Sequence, residues 1–364
     1  MQRWRLIERF QAVLAETVGP ETGGTWADPR RRVELGEYLG LYLFGLLNPV
    51  VTTMRGLCAA SELERVQDEI CGERVSLGSF SEAQAVVEPE LLEAVFGRLL
   101  AAGGKKRRAP RRYVVDSTVM RVVPRMSWAL WRRNRGAEGA VRLHVEFDLA
   151  RGRVEHFAVT PAKTCERRQW RRCAQPGSCY IADRYYSYDY ELLAELQRKQ
   201  VDFIVRLRAD AQWVEEASVP LRPEDQAADV TWSGTVRLGR KGDGPRVRIV
   251  QVLGEAETIL LATTLPAQDA PAELIASLYR HRWEVELFFR WLKCILGCRH
   301  WLAESPRGVG LQVYLALIAA QLLVLYSGRR PNRRQMERIK LYLLGWATAK
   351  ELAQTVRAPP RKKR

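Results

Sequence analysis

Four residues in one stretch carry side chains suited to phosphate and metal: Tyr279, Arg282, Glu286 and Lys293. The stretch opens at Pro271 and reads as one helix to about Leu296, free of internal glycine or proline. At about 100° per residue the four fall in a stripe about 60° wide. Leu274, Leu278, Val285, Phe288, Leu292, Ile295 and Leu296 fill a separate arc, so the polar stripe borders the buried face. Glu284 points elsewhere, which singles out Glu286. One acid among three cationic or hydrogen-bonding side chains suits a metal-binding carboxylate lying along a nucleic-acid strand. The bland reading is an ordinary helix with an Arg282/Glu286 pair at i,i+4, worth a few tenths of a kcal/mol.

Two aspartates supply the partners such a carboxylate needs. Asp116 closes the strand-like run from Tyr113, and Asp183 closes the run from Tyr180. If those strands are neighbours, their carboxylates converge beside a sheet. Clustered carboxylates repel one another, and divalent cations remove that cost. Two ions roughly 4 Å apart can activate water or a 3′-hydroxyl and stabilise the leaving oxygen in phosphodiester displacement. Hard oxygen donors fit Mg²⁺, with Mn²⁺ able to substitute. Each aspartate alone also reads as a strand-end or turn residue.

The elements that must position these groups follow from hydrophobic period. From Arg3 to about Leu100 the pattern is helical, with start signals at Ser61/Glu64 and Ser79/Glu82. Residues 101–112, AAGGKKRRAPRR, read as a basic linker or a phosphate-contacting arm. Short β-rich runs follow at Arg112–Asp116, Val141–Leu149 and Val154–Thr160. A fourth strand at Ser178–Asp183, a helix at Ser187–Lys199 with Leu192, Leu193 and Leu196 inward, and a fifth strand at Val201–Leu207 complete a parallel crossover. This order, βββαβαβ with a mixed sheet, is that of ribonuclease H-like folds. Residues 208–268 read as a β-rich insertion, and 269–328 as the second part of the core, with the helix that carries Glu286 and an apolar helix at Gly308–Tyr326. A last helix at Arg334–Val356 and a basic tail occupy 329–364. The fold expected is thus α/β: a ribonuclease H-like core (113–207 and 269–328), a β-rich insertion, and a helical N-terminal domain over 1–100, to which the resemblance given below assigns DNA binding.

Composition narrows the partners. The 364 residues are 47% hydrophobic and 27% charged, which excludes wholesale disorder. Lys and Arg outnumber Asp and Glu by 58 to 42, and the net charge of +16 points to a polyanion. The Gly308–Tyr326 stretch barely spans a bilayer and carries Gln312 and Gln321, so a buried helix is expected and no membrane partner. Seven cysteines without regular pairing read as free thiols in a reducing interior, and no signal peptide is evident, so a cytoplasmic location is expected, which the resemblance described next makes prokaryotic. No paired Cys/His spacing completes a zinc site, and no Gly-Lys-Ser/Thr loop calls for ATP.

The spacing Tyr279-x2-Arg282-x3-Glu286-x6-Lys293 resembles the Tyr-Arg-Glu-Lys signature of bacterial insertion-sequence transposases with an Asp-Asp-Glu triad, insertion-sequence family four. Ala182-Asp-Arg-Tyr-Tyr-Ser187 and Val201–Arg208 look similar to the same family, apart from Tyr185, where members often carry a small residue. The resemblance spans about Tyr113–Gly328. It implies a catalytic, metal-binding triad of Asp116, Asp183 and Glu286 holding about two Mg²⁺ ions, with Tyr279, Arg282 and Lys293 on the transposon end. It further implies a transposase that binds terminal inverted repeats, cuts the ends and joins the 3′-hydroxyls to target DNA, as a homodimer pairing two ends. In hairpin-forming relatives an aromatic residue in the insertion stacks on a flipped base. Trp232, or Trp213, is the candidate here, although a strand tryptophan also reads as core packing. Two other readings stay open: a catalytically silent repressor derived from a transposase, and a ribonuclease H-like nuclease without strand transfer.

Overall fold

The computed structural model describes residues 5–18, 33–102, 111–122, 126, 129–133, 136–295 and 301–357. The basic linker centred on 103–110 and the tail beyond 357 lie outside the described residues. The chain divides into two compact units, one formed by 1–106, 121–139 and 289–364 and the other by 107–120 and 140–288.

The first unit begins with six helices: α1 (Arg5–Val18), α2 (Leu35–Leu47), α3 (Met54–Ala60), α4 (Glu64–Glu69), α5 (Leu77–Val86) and α6 (Pro89–Ala102). Their start points differ from those expected. Ser76, not Ser79, caps α5, its Oγ accepting from the Ser79 backbone N–H at 3.1 Å. Starting there gives the helix a full turn before Phe80, which is fully buried. Ser61 closes α3 instead of opening α4: its hydroxyl donates to the Cys58 carbonyl at 2.6 Å and accepts from the Val75 N–H at 2.9 Å. A Ser-x-x-Glu pattern marks a cap only if the preceding helix leaves the hydroxyl unused.

The second unit is built on a sheet. Its chain-order elements are β1 (Arg111–Val122), β2 (Leu130–Arg133), β3 (Gly136–Asp148), β4 (Arg153–Pro161), α7 (Glu166–Cys173), β5 (Ser178–Ala182), α8 (Tyr190–Arg198), β6 (Asp202–Arg206), β7 (Trp213–Ser218), α9 (Pro223–Ala227), β8 (Val230–Leu238), β9 (Arg246–Leu253) and β10 (Thr258–Thr263). Here β2 pairs only with the first residues of β3, in the other unit. The remaining order is β4-β3-β1-β5-β6-β10-β9-β8-β7. Strands β1, β5 and β6 are parallel, joined in the β5-α8-β6 crossover expected, while β3/β4 and β6 through β7 are antiparallel. The strands of 208–268 therefore continue the same sheet, because β10 hydrogen-bonds directly to β6.

Alternation along the strands assigns the two faces. Tyr113, Val115, Tyr180, Ala182 and Phe203 join Trp170 of α7 and Leu192, Leu193 and Leu196 of α8 in one buried cluster. On the opposite face Phe147 meets Phe288, ring centroids 5.7 Å apart. Phe288 belongs to the helical segment after Pro271, which is not one helix. It comprises α10 (Ala272–Arg280) and α11 (Trp283–Ile295). Between them Arg282 donates to the Tyr279 carbonyl at 3.0 Å and Glu284 to the His281 carbonyl at 3.0 Å, so i→i−3 bonds replace the helical ladder. The run Arg280-His281-Arg282 supplies no apolar side chain to hold a continuous helix against the sheet.

The first unit is completed by α12 (Pro306–Ser327), α13 (Arg333–Leu343) and α14 (Ala349–Arg357). Among the described residues α12 is the helix long and apolar enough to cross a membrane, and 78% of its apolar window is buried against α1, α2, α5 and α6. Its glutamines are used inside: the Gln312 Oε1 accepts from the Tyr42 hydroxyl at 3.3 Å and from the Leu302 N–H at 2.8 Å. The single terminal helix expected over Arg334–Val356 is broken where Gly345 takes φ of +81°, a conformation costly for other residues.

Candidate active site

Asp116 lies within β1 rather than at its end, and Asp183 follows the last residue of β5. The parallel register pairs Val114 with Ile181, so two residues further on Asp116 and Asp183 stand abreast on adjacent strands. The Asp116 Oδ1 accepts from the Ser117 N–H at 2.7 Å, and the Asp183 Oδ1 from the Tyr185 N–H at 2.9 Å. Glu286 arrives from the first turn of α11. Arg282, in the break before that helix, places its Nη1 2.7 Å from the Glu286 Oε1 and 3.7 Å from the Asp116 Oδ2. Its guanidinium also lies 5.9 Å from the centre of the Tyr279 ring. Tyr279, Arg282 and Glu286 therefore still cooperate, although the kink removes the continuous stripe the sequence suggested.

The electrostatics follow from this crowding. Burial pushes the Asp116 carboxyl up, the Ser117 N–H opposes that, Asp183 and Glu286 add to it and Arg282 subtracts, leaving it at about 6. Burial likewise raises the Tyr279 phenol. For Arg282, burial disfavours the charge but Tyr279, Glu286 and Asp116 more than offset it, so the guanidinium is held above its ordinary range. Among the described residues no three of His, Cys, Asp and Glu gather closely enough to grip an ion as they stand. Arg282 occupies the space between two of the acids. The donor types nevertheless fit a hard divalent cation: Asp116, Asp183 and Glu286 offer carboxylate oxygens, and Asp183 and Glu286 each add, beside burial, to the cost of ionising Asp116, a cost that a bound cation would relieve.

Other expected residues fall elsewhere. Lys293 is half-buried on α11 seven residues past Glu286, in the other compact unit. Trp232 lies on β8, four strand spacings from β5, or about 19 Å of sheet, and is not brought to the acids. Its ring covers Gly234, where an added Cβ would sit 2.4 Å from Cζ2, and packs with Trp213 against the buried cluster. This is the hairpin-packing role of a strand tryptophan. Cys165, Cys173 and Cys179 are free thiols, the last buried and pushed up to about 12.

Two supporting groups were missed in the sequence. Arg142 donates from Nη1 to the Ser117 Oγ at 2.9 Å and from Nε to the Ala162 carbonyl at 3.2 Å, and it is paired with Glu166. It thereby fixes the residue next to Asp116; nothing in the sequence singled it out, because β3 also carries Glu138, His144, Glu146 and Asp148. Asp225, 3% exposed, accepts from the Arg222 N–H at 2.9 Å and from the Glu273 N–H at 2.9 Å, capping α9 and the start of α10 together. No sequence pattern links positions 225 and 273.

A sheet presenting carboxylates from two adjacent parallel strands, with a third brought near by α11, offers hard oxygen donors of the kind that bind divalent cations. Comparison with known proteins gives the chain its family. Residues 107–322 match the family described as "Transposase DDE domain". The "Putative transposase y4zB" of Sinorhizobium fredii is 27% identical over 299 residues, covering 79% of this chain and 81% of that protein. The "Probable transposase for insertion sequence element IS5377" of Geobacillus stearothermophilus is 25% identical over 265 residues, covering 69% and 67%. Among solved structures, the cryo-EM piggyBac transposase synaptic complex with hairpin DNA aligns at a TM-score of 0.45 and 10% identity over 98% of this chain and 79% of that one, too loosely to add to the argument. The chain belongs to the transposase DDE domain family and is a DNA transposase, an enzyme acting on DNA, in a family that generally uses divalent metal ions.

Proposed function

We propose that this transposase is of the insertion-sequence family-four type, cutting the inverted-repeat ends of its element and joining the freed 3′-hydroxyls to target DNA. The observation that supports this reading is that Asp116 and Asp183 stand abreast on adjacent parallel strands while Arg282 links Asp116 to Glu286. The order β4-β3-β1-β5-β6, with β1, β5 and β6 parallel, supports a ribonuclease H-like core beneath them. Asp116, Asp183 and Glu286 would hold Mg²⁺, most simply two ions, with Mn²⁺ able to substitute. When bound, the metal would lower the cost of forming a hydroxide or alkoxide nucleophile and stabilise the departing 3′-oxygen.

The chain's own groups do the rest. The Ser117 and Tyr185 N–H groups orient the two aspartates, and Arg142 steadies Ser117. Arg282 offers a fixed positive charge beside the acids to a DNA phosphate, with Tyr279 behind it. Lys293, further along α11, would take another phosphate of the same end. The helical segment before β1 would recognise the inverted repeat, and a homodimer would hold two ends together. We place this activity in the prokaryotic cytoplasm, without a membrane.

The test is magnesium-dependent nicking and strand transfer on DNA flanking the gene. Asp116→Asn, Asp183→Asn and Glu286→Gln are each expected to lower both steps by at least about 10³-fold with DNA binding retained. Unchanged nicking by any one of them overturns its place in the triad.

A further inference from the structure

Immediately past Asp183 the chain exposes an aromatic pair that the proposed chemistry leaves without a task. Tyr185 and Tyr188 are 40% and 53% exposed, whereas Tyr186 between them is buried. Tyr186 stands edge-on to Trp170, ring centroids 5.2 Å apart, and opens a 3-10 turn over Tyr186–Tyr188. The two outer rings are therefore presented from an anchored backbone. Their centroids lie 6.3 Å apart.

Each ring is backed by a guanidinium. Arg167 of α7 lies 5.0 Å from the Tyr185 centroid, and Arg208, just past β6, lies 5.1 Å from that of Tyr188. Asp210 also holds Arg208, and Arg184 is exposed between Asp183 and Tyr185. The Tyr185 N–H donates to the Asp183 Oδ1 at 2.9 Å, which fixes the pair's distance from that carboxylate.

Single exposed apolar side chains need no explanation. Two adjacent rings from one turn, each steadied by a cation–π contact from a different segment, make a composite surface: flat π-faces beside positive charge. The ligand that matches it carries planar rings joined by anionic links. Duplex DNA satisfies the charge but hides its base faces in the stack, so the match is to a strand whose bases are unpaired. A strand cut next to Asp183 would have to be unstacked there to bend into the site.

We propose that Tyr185 and Tyr188 form a stacking platform for unpaired nucleotides flanking the phosphate to be cut, with Arg167 and Arg184 meeting the neighbouring phosphates. The assignment rests on the DNA-transposase reading and adds to it which bases the site grips.

The experiment uses the full chain, metal-free, with two fluorescent probes: a 25-base-pair duplex of arbitrary sequence ending blunt, and the same duplex with two unpaired 2-aminopurine nucleotides at one end. Tyr185→Ala and Tyr188→Ala are each expected to weaken the flapped probe about ten-fold, leave the blunt probe within about two-fold, and relieve the 2-aminopurine quenching seen with the wild type. Tyr185→Phe and Tyr188→Phe should bind as the wild type does, because stacking needs the ring and not the hydroxyl. Equal losses on both probes, no loss on either, or displacement of the flap by an acidic Glu–Tyr copolymer at equal concentration would each overturn the platform. Nicking of gene-flanking DNA is scored separately on the wild type and the Phe variants. Tyrosine-dependent flap binding without any nicking would defeat the cleavage reading and keep the platform; nicking with tyrosine-independent flap binding would do the reverse.

Discussion

Arg282 touches more of the candidate site than any other side chain, since it reaches Glu286, Asp116 and the Tyr279 ring from the break between two helices. Replacing it by Gln keeps a donor but removes the charge, so nicking is expected to fall about 10²-fold in a magnesium assay, and Lys to recover only part because it lacks the planar fork. Asp225 governs stability instead. Burial would push its carboxyl up, but bonds from Arg222 and Glu273 hold it well below the usual carboxylate range. A folded-state value depressed below the unfolded one gives stabilisation that is present above about pH 4 and lost as pH falls through the folded value. Asp225→Asn is therefore expected to cost about 1–3 kcal/mol at pH 7 by urea denaturation and to narrow the wild type's loss between pH 5 and pH 3. An undiminished acid loss in the variant would remove Asp225 from this role.

At the scale of elements, legibility followed the range of the forces involved. The parallel pairing of β5 with β6 was readable because short apolar runs around a leucine-faced helix leave little choice but a crossover, whereas the pairing of β1 with β5, which sets Asp116 beside Asp183, followed only from the strand order of the expected fold. The break at His281 was not, because hydrophobic period alone cannot distinguish one helix from two in line; the sheet beneath decides it. Nor could period show that residues after β6 would turn back and pair with it through β10. The caps at Ser76 and Asn332, and the stop at Gly345, depend on local bonds that several neighbouring residues could equally have made. Close packing at the start of α12 is similarly invisible in sequence. An added Cβ at Gly308 would lie 2.4 Å from the Ala303 Cβ and 2.9 Å from the Gln84 Oε1. Gly308→Ala gains helix propensity yet forces that contact apart, so a net loss of about 1–2 kcal/mol in denaturant unfolding is expected.

For the whole molecule, the decisive property is charge rather than shape. A net +16 on 364 residues gives the protein a long-range attraction for DNA that owes nothing to sequence. Each phosphate neutralised releases condensed counterion, so affinity for a blunt duplex should fall linearly on a log–log plot against salt, with six to ten contacts costing about 10³–10⁵ between 50 and 200 mM. The variants separate on this plot. Arg282→Gln removes one phosphate contact and should flatten the slope by about 0.9, whereas Tyr188→Ala removes stacking alone and should lower affinity for a flapped duplex at every salt concentration without changing the slope. A slope that changed with Tyr188→Ala would mean that the ring acts through the cations around it and not by stacking alone, and one that stayed constant with Arg282→Gln would mean that the cationic surface engaging DNA lies away from Asp116 and Glu286, and that the acids face some other ligand.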